Sequence, residues 1–148
     1  PTLPLVEDSH VTPADYSAIF FAGGHGAVWD FPVSAAVNDV TRAIWEQGGA
    51  VGAVCHGPAA LTNVTLSDGT QLVAGRKVAA FTDAEERAVE LQDVVPFLLS
   101  TKLASLGAKM QPGADWTDTT AVDGRLVTGQ NPQSASSPGR KLVDVLKG

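Results

Sequence analysis

The sequence has few of the features that would place it in a membrane or in an oxidising compartment. Its 148 residues include one cysteine, so no internal disulfide can form, as is typical of proteins in a reducing compartment. No apolar run approaches the roughly 18 residues that a membrane-spanning helix needs. We therefore expect a cytoplasmic protein with no membrane partner.

Basic residues are also scarce. Ten lysines and arginines stand against 16 acidic residues, which gives a net charge of -6. This balance disfavours nucleic acids and anionic membrane surfaces as partners. With 44% hydrophobic residues, the chain is long enough to bury a sizeable core. We therefore expect a single domain over residues 1–148.

The single cysteine, Cys55, lies between a strand pattern and a helix pattern. The apolar run 50–54 is typical of a strand buried on both faces, and Pro58 fits the first turn of a helix. A sharp strand-to-helix turn exposes a nucleophile at its apex in a strained backbone, and a helix N-terminus stabilises a thiolate there. His56 is placed to carry a proton. The alternative is that Cys55 is an apolar filler, but the order of elements favours a nucleophile with a depressed thiol pKa.

A second glycine-rich turn follows another buried-strand pattern. Residues 17–22 predict a strand, and Gly23-Gly24-His25-Gly26 stands at its carboxyl end, where open α/β sheets bind ligands. Apolar residues at helical spacing then predict a helix over residues 34–47. A strand–helix–strand unit predicts parallel strands whose carboxyl ends share one edge of the sheet. We therefore expect His25 and Cys55 in one pocket, although a plain tight turn would also explain the glycines.

Two adjacent glutamates begin a helix after a strand predicted at residues 77–81. Thr82 and Glu85 have the spacing of a capping box, in which the glutamate bonds back to the N–H of the capping threonine. Glu86 points about 100° further round the helix and is free to orient a histidine. Alternatively, both glutamates are exposed first-turn acids that the helix dipole favours, and spacing alone supports this alternative.

The last third of the chain predicts two helices and a hairpin. Residues 96–106 are typical of a helix that Gly107 ends, and residues 140–147 predict a C-terminal helix. Asp123-Gly124 between two apolar runs is a strong hairpin signal, so we interpret Asp123 as a turn residue. The three histidines are scattered along the sequence without a metal-ligand spacing, so we expect no metal.

Four blocks in this order resemble a known group of proteins. They are residues 20–26 (FFAGGHG), 53–59 (AVCHGPA), 81–86 (FTDAEE) and 123–132 (DGRLVTGQNP). Together they resemble the class I glutamine-amidotransferase-like superfamily, in its branch of PfpI-type proteases and heat-shock chaperone/glyoxalase III proteins. They are most similar to the small fungal-type glyoxalase III proteins. The resemblance extends from Val11 onwards and implies a flavodoxin-like three-layer α/β sandwich with a mostly parallel sheet, a homodimer, and a cysteine active site without a cofactor.

The resemblance also implies roles for individual residues. The nucleophile of the superfamily falls on Cys55, its adjacent histidine on His56 and its acidic third member on Glu86. The backbone amides of Gly24 and His56 fall where the superfamily forms its oxyanion site. The residues expected around the oxyanion and the substrate are Gly24, His25 and Gly57.

One position of the superfamily pattern has no match. The superfamily places a further glutamate beside the cysteine, at the end of a first strand that precedes the Gly-Gly-His-Gly block. Glu7 does not fit, because it lies in a proline-flanked segment with no strand before it. Since the chain opens on Pro1 and the first βαβ unit has no counterpart, we expect a preceding segment of the same gene product, present as a separate chain, to complete the sheet. The alternative is a divergent member that covers its open edge by dimerising.

The implied function is the conversion of a small aldehyde substrate, a 2-oxoaldehyde such as methylglyoxal, into a 2-hydroxy acid such as lactate, with a stress-protection or chaperone role. A cysteine peptidase or amidase would use the same Cys55, His56 and Glu86. A glutaminase is disfavoured, because it uses a histidine well downstream of the cysteine and none follows His56. A non-enzymatic holding chaperone or redox sensor would have Cys55 oxidised rather than used for turnover.

Overall fold

The computed structural model describes residues 11–148. Glu7 therefore lies outside the described residues. The helices and strands follow one another as an α/β chain. They are β1 (Ala18–Phe21), α1 (Ala27–Asp30), α2 (Ala35–Glu46), β2 (Ala50–Val54), β3 (Lys77–Val78), α3 (Asp83–Ala88), α4 (Leu99–Ser105), β4 (Lys109–Met110), β5 (Thr120–Asp123), β6 (Leu126–Gly129) and α5 (Ser137–Lys147), with 3-10 turns at Pro13–Asp15, Gly57–Leu61 and Pro132–Ser134.

The central sheet has four strands in the order β1-β2-β6-β5. Strands β1, β2 and β6 are parallel, with Ala18 opposite Ala50 and Val54 opposite Gly129. Strand β5 is antiparallel to β6, which confirms the predicted hairpin. The expected place of Asp123 in the turn is wrong by one residue, because Asp123 ends β5 opposite Leu126 and Gly124-Arg125 form the turn. The mostly parallel α/β sheet expected from the sequence is therefore confirmed.

Helices cover both faces of this sheet because its strands are apolar on both faces. Val51 and Leu126 point into the larger core cluster, which α2 and α4 close. Val127 points the other way, against Leu142 of α5. Strand β2, in the middle, is buried along its whole length. Two layers of helices therefore enclose the sheet. Because β1, β2 and β6 are parallel, their carboxyl ends lie at one edge of it.

Several predicted boundaries need correction. The helix over residues 34–47 is confirmed as α2, whose Ser34 side chain accepts the Val37 N–H. The helix predicted after Cys55 is a single 3-10 turn over Gly57–Leu61, because poor helix formers follow it at residues 62–65. The helix predicted at 96–106 is shorter, and the one predicted at 140–147 begins three residues earlier, with Pro138 in its first turn.

The strand predicted at residues 77–81 is also shorter. Only Lys77–Val78 form a strand, β3, which pairs with β4 outside the central sheet. Beyond it, Ala79 N–H donates to the Thr128 hydroxyl (2.8 Å) and Phe81 N–H donates to the Cys55 carbonyl (3.0 Å). The segment therefore leaves β4, passes the turn at Cys55 and leads into α3.

The sheet ends at an open strand within residues 11–148. There, β1 pairs with β2 on one side only, and Phe20 on β1 is 39% exposed. The expectation of a segment that covers this edge stays a prediction. No helix in the described part of the chain is long and apolar enough to cross a bilayer.

Candidate active site

Cys55 lies at the apex of the turn after β2 in a strained conformation. Its φ is 61°, in the left-handed region that residues other than glycine rarely adopt. Two hydrogen bonds hold this backbone in place: Cys55 N–H donates to the Gly129 carbonyl (2.9 Å), and the Cys55 carbonyl accepts the Phe81 N–H (3.0 Å). The strained backbone predicted for the sharp turn at Cys55, called the elbow below, is therefore confirmed.

Two glycines leave the space that this turn needs. A Cβ at Gly23 would lie 2.7 Å from the Cβ of Cys55, so the β1 turn can approach the cysteine only without a side chain. A Cβ at Gly57 would overlap the Phe21 carbonyl oxygen, so Gly57 allows the 3-10 turn to pack against β1. The geometry gives Gly57 a packing role, and its expected contact with substrate stays a prediction.

Opposing influences act on the Cys55 thiol. Burial raises the pKa of the thiol above its ordinary value of 9.0, although the backbone N–H groups of His56 and Gly24 face the sulfur and act to lower it. The predicted depressed pKa is therefore wrong. The expected lowering of the thiol pKa depends on a helix N-terminus beside Cys55, but the five-residue 3-10 turn found there carries little dipole. Cys55 itself is only 9% exposed. The two N–H groups are hydrogen-bond donors beside the sulfur, and their expected role as an oxyanion site stays a prediction.

His56 is fully buried and bridges Cys55 to Glu86. Its Nδ1 is 3.4 Å from the Cys55 sulfur, and its Nε2 is 2.7 Å from Glu86 Oε2. When Nε2–H donates to the carboxylate, Nδ1 is left as the acceptor that faces the thiol. Burial lowers the pKa of His56 more than the Glu86 hydrogen bond raises it, so the ring is uncharged and able to accept a proton.

Glu86 also holds a second imidazole. It is 2% exposed, and its Oε1 is 2.8 Å from His25 Nε2. The two imidazole rings are in contact at a tilt of 40° with centroids 4.1 Å apart, and Phe81 packs on His56 at 4.3 Å. The hydrogen bond between His56 and Glu86 agrees with their expected roles. His25 contacts the His56 ring, but it does not line the cavity beside Cys55, so the expectation that His25 and Cys55 share one pocket is not confirmed. The alternative of two exposed glutamates is wrong, since both are buried.

Glu85 forms a separate buried network on the same helix. The capping box with Thr82 is confirmed. The Glu85 carboxylate also accepts three more distant donors, the Trp116 N–H (2.9 Å), Gln130 Nε2 (3.1 Å) and Asn131 Nδ2 (2.7 Å). These donors belong to loops at the carboxyl edge of the sheet, so Glu85 ties that edge to α3.

The residues around this network were missed in the sequence, although one signal was available. The run Gly129-Gln130-Asn131-Pro132 follows β6 in the way that the two glycine turns follow β1 and β2. Polar residues at the carboxyl end of a parallel strand are placed at the ligand edge of the sheet. Trp116, whose ring meets Phe81 edge-on at 5.7 Å, gave no comparable signal.

A small cavity opens beside the thiol. Its volume is about 220 Å³, and its walls are mainly apolar. It is lined by Gly23, Gly24, Val54, Cys55, Pro132 and Ala135. Larger hollows of about 390 and 660 Å³, beside Gln47 and along α5, contain neither the thiol nor its partners. The cavity at Cys55 suits a molecule of a few heavy atoms, since drug-sized ligands occupy about 300–1,000 Å³.

His25, His56 and Glu86 form a cluster that also meets the distance requirement for a metal site. Donor atoms of His25, His56 and Glu86 all lie within 4.8 Å of one another, so the description of the histidines as scattered applies to the sequence and not to the fold. Both histidine Nε2 atoms are, however, already bonded to the two oxygens of the same carboxylate. We therefore describe the cluster as a hydrogen-bonded one.

Comparison with known proteins gives consistent matches over nearly the whole chain. The sequence model of the DJ-1/PfpI family matches residues 5–145. The glutathione-independent glyoxalase HSP31 of Saccharomyces cerevisiae is 36% identical over 146 residues, which are 93% of this chain and 60% of that protein. Glyoxalase 3 of Candida albicans is 36% identical over 145 residues, 94% of this chain and 61% of the relative.

Solved structures agree with these sequence matches. The crystal structure of glyoxalase III from Candida albicans superposes with a TM-score of 0.86 at 32% identity, covering 91% of this chain and 59% of the other. The Rapid Encystment Protein of 24 kDa from Francisella tularensis has a TM-score of 0.90 at 39% identity, covering 93% and 61%. The chain thus spans about 60% of the length of the relatives that it matches.

Proposed function

The chain belongs to the DJ-1/PfpI family, and on that premise we propose that it acts as a glutathione-independent glyoxalase. In this proposal it converts 2-oxoaldehydes such as methylglyoxal into 2-hydroxy acids such as lactate, with Cys55 as the nucleophile. The supporting observation is one connected arrangement: a strained cysteine, two amides facing its sulfur, and an uncharged His56 within reach of the thiol. Relatives named as glyoxalases support the choice of substrate class.

The first step is attack of the sulfur on the aldehyde carbon. The Cys55 proton moves to His56 Nδ1 as the C–S bond forms, since the raised pKa keeps the thiol mainly protonated near neutral pH. The carbonyl π electrons move to oxygen, and the N–H groups of Gly24 and His56 stabilise the resulting oxyanion. Protonation of that oxygen gives a hemithioacetal. Glu86 stabilises the imidazolium that His56 becomes during this step.

The second stage isomerises the bound substrate and releases it. A base removes the proton from the carbon bonded to sulfur, which gives an enediol, and a proton is returned to the neighbouring carbon. The product of these two transfers is a thioester of the 2-hydroxy acid, with no net oxidation. Water then cleaves the C–S bond, releases the acid and returns the proton to sulfur. Among residues 11–148, His56 oriented by Glu86 is our choice of base.

The cavity and the open sheet edge bear on substrate and partners. The apolar cavity of about 220 Å³ favours a short aldehyde over a polypeptide, which needs an extended groove. Among residues 11–148 no strand pairs with the outer side of β1, which supports cover by another chain, either a further segment of the gene product or a second copy in a homodimer. Such cover is also where a second carboxylate base would come from. Intact mass and light scattering distinguish the two kinds of cover.

The test offers the purified protein two kinds of substrate. Methylglyoxal is supplied without glutathione and lactate is measured, while a chromogenic amide and a peptide are assayed in parallel, each beside Cys55→Ala. We expect lactate from the wild type only, and no release of amine. Amine release without lactate would instead assign the same residues to a peptidase or amidase.

A further inference from the structure

The Glu86 carboxylate is divided between two imidazoles that differ in exposure. One oxygen bonds to fully buried His56 and the other to His25, whose side chain is 34% exposed. Within residues 11–148 these are the hydrogen bonds of the Glu86 side chain. The orientation of the carboxylate therefore depends on His25 as well as on His56. Through the carboxylate, His25 also affects the orientation of the His56 ring, which faces Cys55.

The two rings are also electrically coupled. Their centroids are 4.1 Å apart, so a positive charge on one opposes a positive charge on the other. The titratable groups that face His56 are Cys55, His25, Glu85 and Glu86. Burial lowers the pKa of His56 most, the Glu86 hydrogen bond raises it, and His25 lowers it again. His25 therefore acts on His56 both through Glu86 and directly.

We propose that His25 is a positioning residue for the chemistry at Cys55. By sharing Glu86, it fixes the His56 ring with its free Nδ1 toward the sulfur and keeps that ring uncharged until the thiol gives up its proton. The inference rests on the proposed nucleophilic role of Cys55. It assigns to His25 a function other than the oxyanion or substrate contact expected from the sequence.

Two substitutions separate the hydrogen bond from the charge. His25→Phe keeps an aromatic ring against His56 and Phe81 but removes both the N–H donor and the second ring that can take up a proton. His25→Gln can still donate an N–H to Glu86 but is never charged. Trp29→Phe, on α1, is the matched control because it keeps a ring, and among residues 11–148 Trp29 forms no hydrogen bond or ring pair with His25, His56 or Glu86. We measure kcat against pH for methylglyoxal in each variant.

The variants have distinct expected results. His25→Phe should lower the plateau of kcat about tenfold, and the acid limb of the profile should move to higher pH, because His56 then keeps its proton more tightly. His25→Gln should restore most of the plateau while its acid limb stays at the higher pH. An unchanged profile in His25→Phe would overturn the proposal. Equal plateau losses in both variants with an unmoved acid limb would also overturn it, because they would show a merely structural role.

A second readout needs no turnover at all. The chain has three histidines, so ring ¹⁵N NMR can follow each one against pH. We expect the His56 ring to titrate at higher pH in His25→Phe than in the wild type, and an unmoved or lowered titration would refute the inference. If the wild type fails to convert methylglyoxal, the proposed function is wrong, whereas this titration still decides the role of His25.

Discussion

Glu85 and Glu86 are adjacent and both buried, and we predict that their replacement by glutamine affects different properties. Glu85→Gln should mainly lower stability, and Glu86→Gln should mainly lower turnover. Glu85 Oε2 accepts from the Thr82 N–H and hydroxyl, and Oε1 accepts from Trp116, Gln130 and Asn131. In Glu85→Gln, the amide NH₂ must face at least one of these donors, most cheaply the Thr82 N–H. The variant should therefore unfold more easily while its Cys55 chemistry is only indirectly affected.

The magnitude follows from the hydrogen bonds that are lost or weakened. One buried donor left without an acceptor costs about 1–3 kcal/mol, and each surviving bond loses its charge assistance, about 1 kcal/mol apiece. The lower cost of burying a neutral amide offsets part of this sum. We expect Glu85→Gln to lower the free energy of unfolding at pH 7 by about 2–4 kcal/mol, a large share of a typical 5–15 kcal/mol. Urea denaturation measures it.

The pH dependence provides an independent check. Burial would raise the pKa of Glu85, but the bonds from Trp116, Thr82, Asn131 and Gln130 outweigh it and hold the pKa below the ordinary 4.5. The ionised group therefore stabilises the fold fully above about pH 4.5, and this contribution is lost as the pH falls through the lower folded-state pKa. The gap between wild type and Glu85→Gln should shrink with acidification. A gap under about 0.5 kcal/mol at pH 7, or one that does not change with pH, would refute the reasoning.

Three further predictions concern the site and its packing. Glu86→Gln should reduce turnover about 10²–10⁴-fold because its amide cannot accept both imidazole N–H groups, and a stability loss as large as that of Glu85→Gln with intact turnover would contradict the assignment. Gly57→Ala should destabilise the fold by about 1–3 kcal/mol, because the added methyl group meets the Phe21 carbonyl. Gly139→Ala in α5, where the space is open, should instead stabilise the fold by about 0.5–1 kcal/mol. Equal changes in the free energy of unfolding, measured by urea denaturation, would count against this packing. Iodoacetamide labelling of Cys55 should show an inflection above pH 9.0, and one at or below that pH would mean that the facing amides outweigh burial.

Local patterns in the sequence predicted the elements that position the site. The apolar run 50–54 and the Asp123-Gly124 pair depend on neighbouring residues only, so β2 and the β5–β6 hairpin are where they were expected. The parallel pairing of β1 and β2 then brought His25 and Cys55 to one edge. The choice between Glu85 and Glu86 came from the family resemblance, since helix geometry left both open.

Other features depend on contacts between residues far apart in the chain. The donors to Glu85 on Trp116, Gln130 and Asn131 come from segments 31 to 46 residues away, so its burial has no local signal. The thiol pKa of Cys55 was mispredicted for a related reason. The expected helix is only a 3-10 turn, and burial by the surrounding fold outweighs the two facing amides. The sharing of Glu86 by two histidines likewise exists only in the folded chain.

The most direct test of the account is the rate of lactate formation from methylglyoxal without glutathione, in the wild type and in Cys55→Ser. Serine preserves the shape of the elbow, so urea denaturation should show both proteins equally folded. We predict turnover by the wild type and a fall of at least about 10³-fold in Cys55→Ser, because a hydroxyl at this position is a far weaker nucleophile than the thiol. Comparable lactate formation by the two proteins would contradict the central role of Cys55.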